Sequence, residues 1–564
     1  MSAAPDRRLL IGVWPAAAAD RRRRLLGALE EAFPVSFEGL AGLPAGRSSL
    51  DGLIAFGADQ GLDCPSLLVP ADAPACRGPC STIEFAPTPG VARALRARTL
   101  PGHVLQPSSG LGPREEDTVL ATCNGRAAWW ARAGGSWSQA STFVPPELGA
   151  DELLRDGLSI GAFMGLVPLL HLLWRVCAEL AWEEQPLRAS FVVDDPNLHW
   201  PSYGYLGYEE LVRQAERVGY HVGLATVPAD AWLANRRAAT LVRENPAALS
   251  LLIHGNDHAP DELGRLTREG DAERALAQAL RRTAALERRS GVAVQRVMVP
   301  PHEACSMTAL KALCRLGFEA ACIGRRHPWR GYEAAPPAAC WPLMRWHPAD
   351  LIDGSLPVLP RYMIDRPREE LALRALLGQP LILFGHHWDF AEGLDLLAET
   401  AAYVNGLGDV RWGSVGWIAR NGFRRRLEGA TLTLRMHARR IVLDVPEGVE
   451  LLRVEVPRSW GEGRSRIEAR GAASAATEWR LRDRPQTEAL QIRGGARVEL
   501  ELAPEHPVDP ARLRAPETTL WPASRRALVT ARDRTLPLRS RVRRAQVGLA
   551  GSRWKSMPRF PTAR

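Results

Sequence analysis

Between residues 150 and 425 short apolar runs alternate with helical stretches, and this alternation constrains the fold more than any other feature of the chain. Ser190–Val193, His221–Ala225, Ser250–His254, Arg296–Val299, Ala320–Ile323 and Leu381–Phe384 read as strands. Tyr208–Val218 and Asp271–Arg289 read as helices lying between them. Strands separated by helices cannot pair as hairpins. The arrangement that buries them is a parallel sheet or barrel with the helices outside. In such folds chemistry gathers at the carboxyl ends of the strands.

The flanking regions follow other rules. Residues 1–150 read as a small α/β domain, with strands at Leu9–Val13, Gly52–Phe56, Ser66–Val69, Thr118–Thr122 and Ala127–Ala131 and a helix over Asp20–Phe33. They hold no glycine fingerprint for a phosphate, so no nucleotide site is expected there. Over 426–503 the period becomes two, at Thr431–Met436, Arg440–Val445, Leu451–Val456 and Arg497–Leu502. That pattern predicts a small antiparallel β-sandwich. Residues 504–564 are proline-rich and then basic, with eight basic and no acidic residues from Arg539 to Arg564. Few apolar side chains there can offset ordering entropy, which predicts a partly disordered tail, with contact to an anionic surface as the other reading.

Composition narrows the function classes. The net charge is +9, and all but Lys311 and Lys555 of the 72 basic residues are arginine. They are spread among Asp and Glu, whereas a nucleic-acid binder clusters its charge, so no nucleic-acid partner is expected. Nine cysteines include one close pair, Cys76 and Cys80, with no second pair at zinc-site spacing. Reduced thiols in a cytoplasmic protein are the expectation. Leu9–Val13 is too short for the apolar core of a signal peptide. The most apolar stretch, Leu158–Leu173, is broken by Gly161, Gly165, Pro168 and His171. It falls short of the ~20 residues that span a bilayer and reads as a buried helix, so no transmembrane segment is expected.

Polar residues cluster where the central strands end. Asp194 and Asp195 follow Ser190–Val193, an arrangement that a solvated turn also produces. His254 and His258 follow the third strand. If the loop between them turns once, both rings face one point, and two neutral nitrogens with a carboxylate suit a divalent ion with open positions. His386, His387, Trp388 and Asp389 follow the last strand, where a histidine held by a carboxylate can act as a general acid, or the pair can be idle. Pro300, Pro301, His302 and Glu303 form a fixed turn after a fourth strand. Trp200, Tyr203, Tyr205 and Tyr208 lie just beyond Asp195, as sugar-facing aromatics or as a loop core.

In order and spacing these motifs resemble the NodB-homology polysaccharide deacetylases, carbohydrate esterases built on a distorted (β/α) barrel. The resemblance spans roughly residues 185–420 and implies such a barrel over 151–425. It implies Asp194 as base, Asp195, His254 and His258 as ligands of a divalent metal, most readily Zn²⁺, and His386 as acid, with His387 the second choice. Three positions depart from the family's pattern. Pro196 stands for a glycine, Gly255 for a hydroxyl residue that braces the histidine loop, and Val299 for an arginine that orients the base. Arg345 and Arg361 are the candidates to replace that arginine.

The function this implies is metal-dependent removal of an acyl group, N-acetyl in the first instance, from an amino-sugar or glycan precursor. Trp200, Tyr203, Tyr205, His302 and Trp388 are the candidate substrate contacts. Two alternatives remain open: a non-catalytic glycan-binding protein on a diverged barrel, and a hydrolase of a non-sugar amide.

Overall fold

The computed structural model describes residues 8–549, except 44–48, 58–63, 72–79, 104–110, 134–136, 151, 181, 333–347, 458–464, 472–476, 481–486, 488 and 517–519. It is a mixed α/β structure. The N-terminal region is a nine-stranded sheet, larger than the sequence suggests. Five strands run parallel in the order Val35–Gly39, Leu9–Trp14, Gly52–Phe56, Ser66–Val69 and Ser138–Ser141. Four antiparallel strands then extend it: Arg126–Ala131, Thr118–Cys123, Cys80–Phe85 and Thr99–His103. Cys123 is disulfide-bonded. Cys64, Cys177, Cys305, Cys314 and Cys322 are buried and outside any disulfide. The expectation of reduced thiols throughout is therefore corrected at Cys123.

The central strands fall where their apolar runs place them. Leu187–Asp194 pairs in parallel with Val222–Thr226, and the pairing continues through Leu249–His254, Val294–Val299, Ala320–Ile323 and Leu356–Pro360. On its other side Leu187–Asp194 pairs with Leu381–His386, which pairs with Tyr362–Met363. Only Arg361 separates Leu356–Pro360 from Tyr362–Met363. One continuous segment therefore pairs with Ala320–Ile323 at its start and Leu381–His386 at its end, and the path of pairings returns to the strand it left.

Both faces of these strands are buried, which is why they read as unbroken apolar runs. Val192, Ala225, Leu252, Val297, Val299, Cys322, Ile382 and Phe384 form a core inside the ring. Phe191, Val193, Leu251, Ile253 and Leu383 pack outward with the helices. The alternation of period two that sends Val192, Leu252 and Phe384 inward does the same for Asp194, His254 and His386 at the strand ends.

Two four-stranded sheets follow and share one core built on Leu432, Leu434, Ile441, Val454, Val498 and Leu500. The sandwich is not wholly antiparallel, because Thr431–Met436 pairs with Leu451–Glu455 in parallel. The tail departs further from expectation: residues 520–549 form a helix. Among the described side chains of this helix the buried ones are polar: Arg526, Thr530 and Asp533.

Leu158–Leu173 does contribute a buried helix, Val167–Val176, and no helix among the described residues is long and apolar enough to cross a membrane. His171 lies inside it. Its Nδ1–H donates to the Val167 carbonyl (2.9 Å) and its Nε2 accepts from the Ala92 N–H (3.0 Å). Burial holds this ring neutral, lowering its pKa from the usual 6.5 to about 4. Between those values the unfolded chain binds more protons than the folded one, so stability falls as pH drops through the window, by about 3 kcal/mol for this group. Thermal unfolding followed from pH 7.5 to 4.5 should show a smaller acid loss in His171→Gln than in the parent chain.

Candidate metal centre

Asp194 is the last residue of its strand and is almost fully buried (3% exposed). A carboxylate without a partner there would be costly. Arg361 supplies the partner: its Nη1 lies 3.0 Å from both Asp194 oxygens, and its Nε donates to Glu303 Oε1 at 2.8 Å. The guanidinium also stacks over Phe384, 3.8 Å from the ring centroid. Burial alone would depress the Arg361 pKa, but Asp194 and Glu303 outweigh it and raise it. Of the two candidate replacements for the missing arginine, Arg361 is thus the one in contact with Asp194. Arg345 lies outside the described residues.

Asp195 turns away from the strand with φ +82°, and its N–H donates to the Ala225 carbonyl (3.1 Å). Its Oδ1 sits 3.0 Å from His258 Nε2 and 3.9 Å from His254 Nε2. His254 Nδ1 lies 2.8 Å from the carbonyl oxygen of Val299, which only a protonated Nδ1 can satisfy. That bond fixes the tautomer and leaves the Nε2 lone pair facing Asp195. Position 299 therefore contributes a carbonyl to a histidine where the family pattern has a side chain on the base.

The loop between the histidines is braced by Glu262, a residue the sequence reading did not single out. Its carboxylate accepts the N–H groups of Asn256 (3.0 Å), Asp257 (2.8 Å) and His258 (3.0 Å). Gly255 has φ +63°, and a Cβ there would stand 2.6 Å from both Glu262 Oε2 and Pro301 Cγ. Glycine is thus required by backbone and space together. The brace is a carboxylate eight residues after His254, and its spacing resembles an ordinary loop acid.

Asp195, His254 and His258 each offer one ligand atom, and these atoms lie within 4.8 Å of one another. Asp195 Oδ1 and His258 Nδ1 are buried without a hydrogen-bond partner among the described residues. Burial pushes the Asp195 pKa up, but His258, His254 and Arg526 prevail and hold it well below the carboxylate range. Burial lowers His254 to about 4. Asp195 and His254 are therefore in the deprotonated form a metal needs. One carboxylate, two imidazoles and an orphaned oxygen between them fit a divalent ion.

The other candidate residues surround this triad. The His302 ring is 5.2 Å from that of His258, and its Nδ1 accepts the Asp261 N–H (3.0 Å). His386 is registered beside Asp194, and its ring stacks on Trp388 at 4.3 Å with the planes 8° apart. Trp388 is exposed, and Asp389 accepts the His386 N–H (2.7 Å), so this carboxylate holds the backbone at His386. His387 is fully buried between Tyr203 and Tyr205, with ring centroids 5.4 and 5.9 Å away. Tyr203 is itself buried, so it presents no open face.

What covers Tyr203 is the C-terminal helix. Asp533 accepts from the Tyr203 hydroxyl (2.8 Å) and lies 3.7 Å from His387 Nε2. Arg534 stands over the Trp200 ring at 4.0 Å. Arg525 donates to the His258 carbonyl. Arg526 Nε donates to Asp230 (3.2 Å), and its Nη1 is 3.6 Å from Asp195 Oδ1.

No family model and no curated protein matches the chain. Among solved structures it is similar to a chain from Mycobacterium smegmatis described as a polysaccharide deacetylase, at 18% identity and TM-score 0.31, over 43% of this chain and 92% of that one. A family 4 carbohydrate esterase from Streptomyces lividans is similar at 13% identity and TM-score 0.25, over 42% and 94%. An acetyl xylan esterase from Clostridium thermocellum, solved with cobalt, is similar at 11% identity and TM-score 0.25, over 41% and 89%. The reading of the site rests on its own residues.

Removing Arg361 should be severe. Arg361→Met leaves Asp194 and Glu303 facing each other without a cation, and breaking one partner of a buried pair costs about 3–5 kcal/mol. A fall in thermal midpoint of several degrees, with Arg361→Lys falling less, is the expected outcome.

Proposed function

We propose that the central unit is a seven-stranded deacetylase-type (β/α) barrel, and that its mouth hydrolyses the N-acetyl amide of an amino-sugar or glycan precursor. The observation that carries this reading is the convergence of Asp195, His254 and His258 beside a second buried carboxylate, Asp194, that is paired with Arg361. Asp195 Oδ1 and the Nε2 atoms of His254 and His258 would hold a divalent ion, with Zn²⁺ the best match to one carboxylate and two imidazoles. Such an ion polarises a carbonyl and makes bound water acidic.

The chain's own residues supply the proton transfers. Asp194 takes the proton of the attacking water as its oxygen bonds to the acyl carbon. Arg361 aligns that carboxylate from below, leaving its motion restricted. His386 gives a proton to the departing amine as the C–N bond breaks, and acetate and a free amino-sugar result. Asp389 fixes the backbone from which His386 projects, and Trp388 flanks its ring. His302, Tyr205 and Trp388 are the proposed substrate contacts, and Trp200 and Tyr203 join them only when the C-terminal helix has moved.

Three variants separate the roles. Asp194→Asn should keep its metal while acetate release from N-acetylated glucosamine oligomers falls by about 10²–10⁴. Asp195→Ala should lose the metal itself. His386→Ala should keep it and lose amide turnover more than turnover of an activated ester, whose leaving group needs no proton. Metal content by mass spectrometry and acetate release are the two readouts. A parent chain that retains no divalent ion after dialysis against Zn²⁺ would overturn the proposal, and formate release in place of acetate would redirect the acyl class.

A further inference from the structure

The residues that would bind the metal lie beneath a segment far away in the chain, while the proposed substrate contacts Trp388 and His302 stay exposed. Asp194, His254 and His258 are all buried, and Asp195 is only partly exposed. The side chains closing over them include Arg525, Arg526, Asp533 and Arg534, all on the helix Leu520–Leu549. Arg526, Thr530 and Asp533 recur at four- and three-residue spacing, so they form one face of that helix, and that face is turned to the site. Trp521 and Leu528, on other faces, are 68% exposed.

The contacts on the inner face are specific. The Arg526 guanidinium is buried between two carboxylates, Asp230 and Asp195. The Asp195 oxygen it approaches is Oδ1, the same atom that faces both histidine Nε2 atoms. Asp533 is buried as well and is shared among Tyr203, Arg532 and His387. Among the described side chains of this face, the buried anchors are charged or polar.

We propose that the helix Leu520–Leu549 is an intramolecular cover for the metal centre, which sets a cation, Arg526, against the metal-binding carboxylate and must lift for a glycan to enter. Access then depends on breaking the Arg526–Asp230 and Asp533–Tyr203 contacts, and an incoming ion meets a guanidinium at Asp195. Only the ion part of this proposal rests on the proposed metal site.

The test uses the full-length chain and the double variant Arg526→Gln, Asp533→Asn, which keeps the size of both side chains. Labelling of His258 by diethyl pyrocarbonate, read by peptide mass spectrometry against the exposed His506, reports opening of the cover without metal. The double variant should label His258 at least tenfold faster than the parent, and Leu528→Ser, on the outer face, should match the parent. Cobalt(II) uptake, followed by its visible absorption, should be at least tenfold faster in the double variant. Should the double variant fail to fold by circular dichroism, Asp533→Asn alone is measured against the same threshold. Unchanged His258 labelling in a folded variant would overturn the cover, whatever cobalt does. Faster labelling with no cobalt uptake in any chain would keep the cover and end the metal reading.

Discussion

The buried arrangement of Arg361 between Asp194 and Glu303 is the interaction on which the rest of the central unit depends. Arg361 sits where one segment stops pairing with Ala320–Ile323 and begins pairing with Leu381–His386. Its backbone N–H still donates to Ile323 (3.3 Å), while its side chain crosses the interior to Asp194. The residue that links the two halves of the strand ring therefore also neutralises the deepest carboxylate of the site. Fold closure and site electrostatics are one constraint here, and neither can be changed alone.

Much of this was legible in the sequence because strands buried on both faces leave unbroken apolar runs. Ser66–Val69, Ala320–Ile323 and Thr431–Met436 match their apolar or alternating patterns to the residue. Asp194, Asp195, His254 and His258 were legible because each stands directly after such a run or one turn beyond it. Leu356–Pro360 was not, since its two prolines argue against a strand, and neither was Phe423–Glu428, whose three arginines mask its alternation. Glu262 and Asp230 escaped notice for a different reason. An acid in a polar loop looks the same whether it is solvated or receives three backbone N–H groups. Only the folded loop distinguishes the two.

The C-terminal helix shows the limit of an argument from hydropathy. Few apolar residues predicted disorder, yet Arg526 and Asp533 are buried because partners of opposite charge, or hydroxyl and imidazole groups, await them. Sequence reading can count charges along a segment but cannot see the charges it will meet. The one parallel pairing in the sandwich escaped the sequence for another reason, because alternation of period two is identical in parallel and antiparallel strands. It cannot foretell that Thr431–Met436 and Leu451–Glu455 run side by side.

The contact between Tyr203 and Asp533 joins residues 330 positions apart. A ribosome adding 5–20 residues per second needs roughly 15–65 s to cover that distance. In the later part of that interval, once the strand ending at His386 has been made, the strands bearing Asp194, His254 and His386 can assemble on the nascent chain while the segment that closes over them does not yet exist. The newborn protein thus passes through an uncovered stage that the finished one leaves behind. On the proposed metal site and cover, an ion captured at that stage would lie beneath Arg526 once the helix Leu520–Leu549 has folded over it.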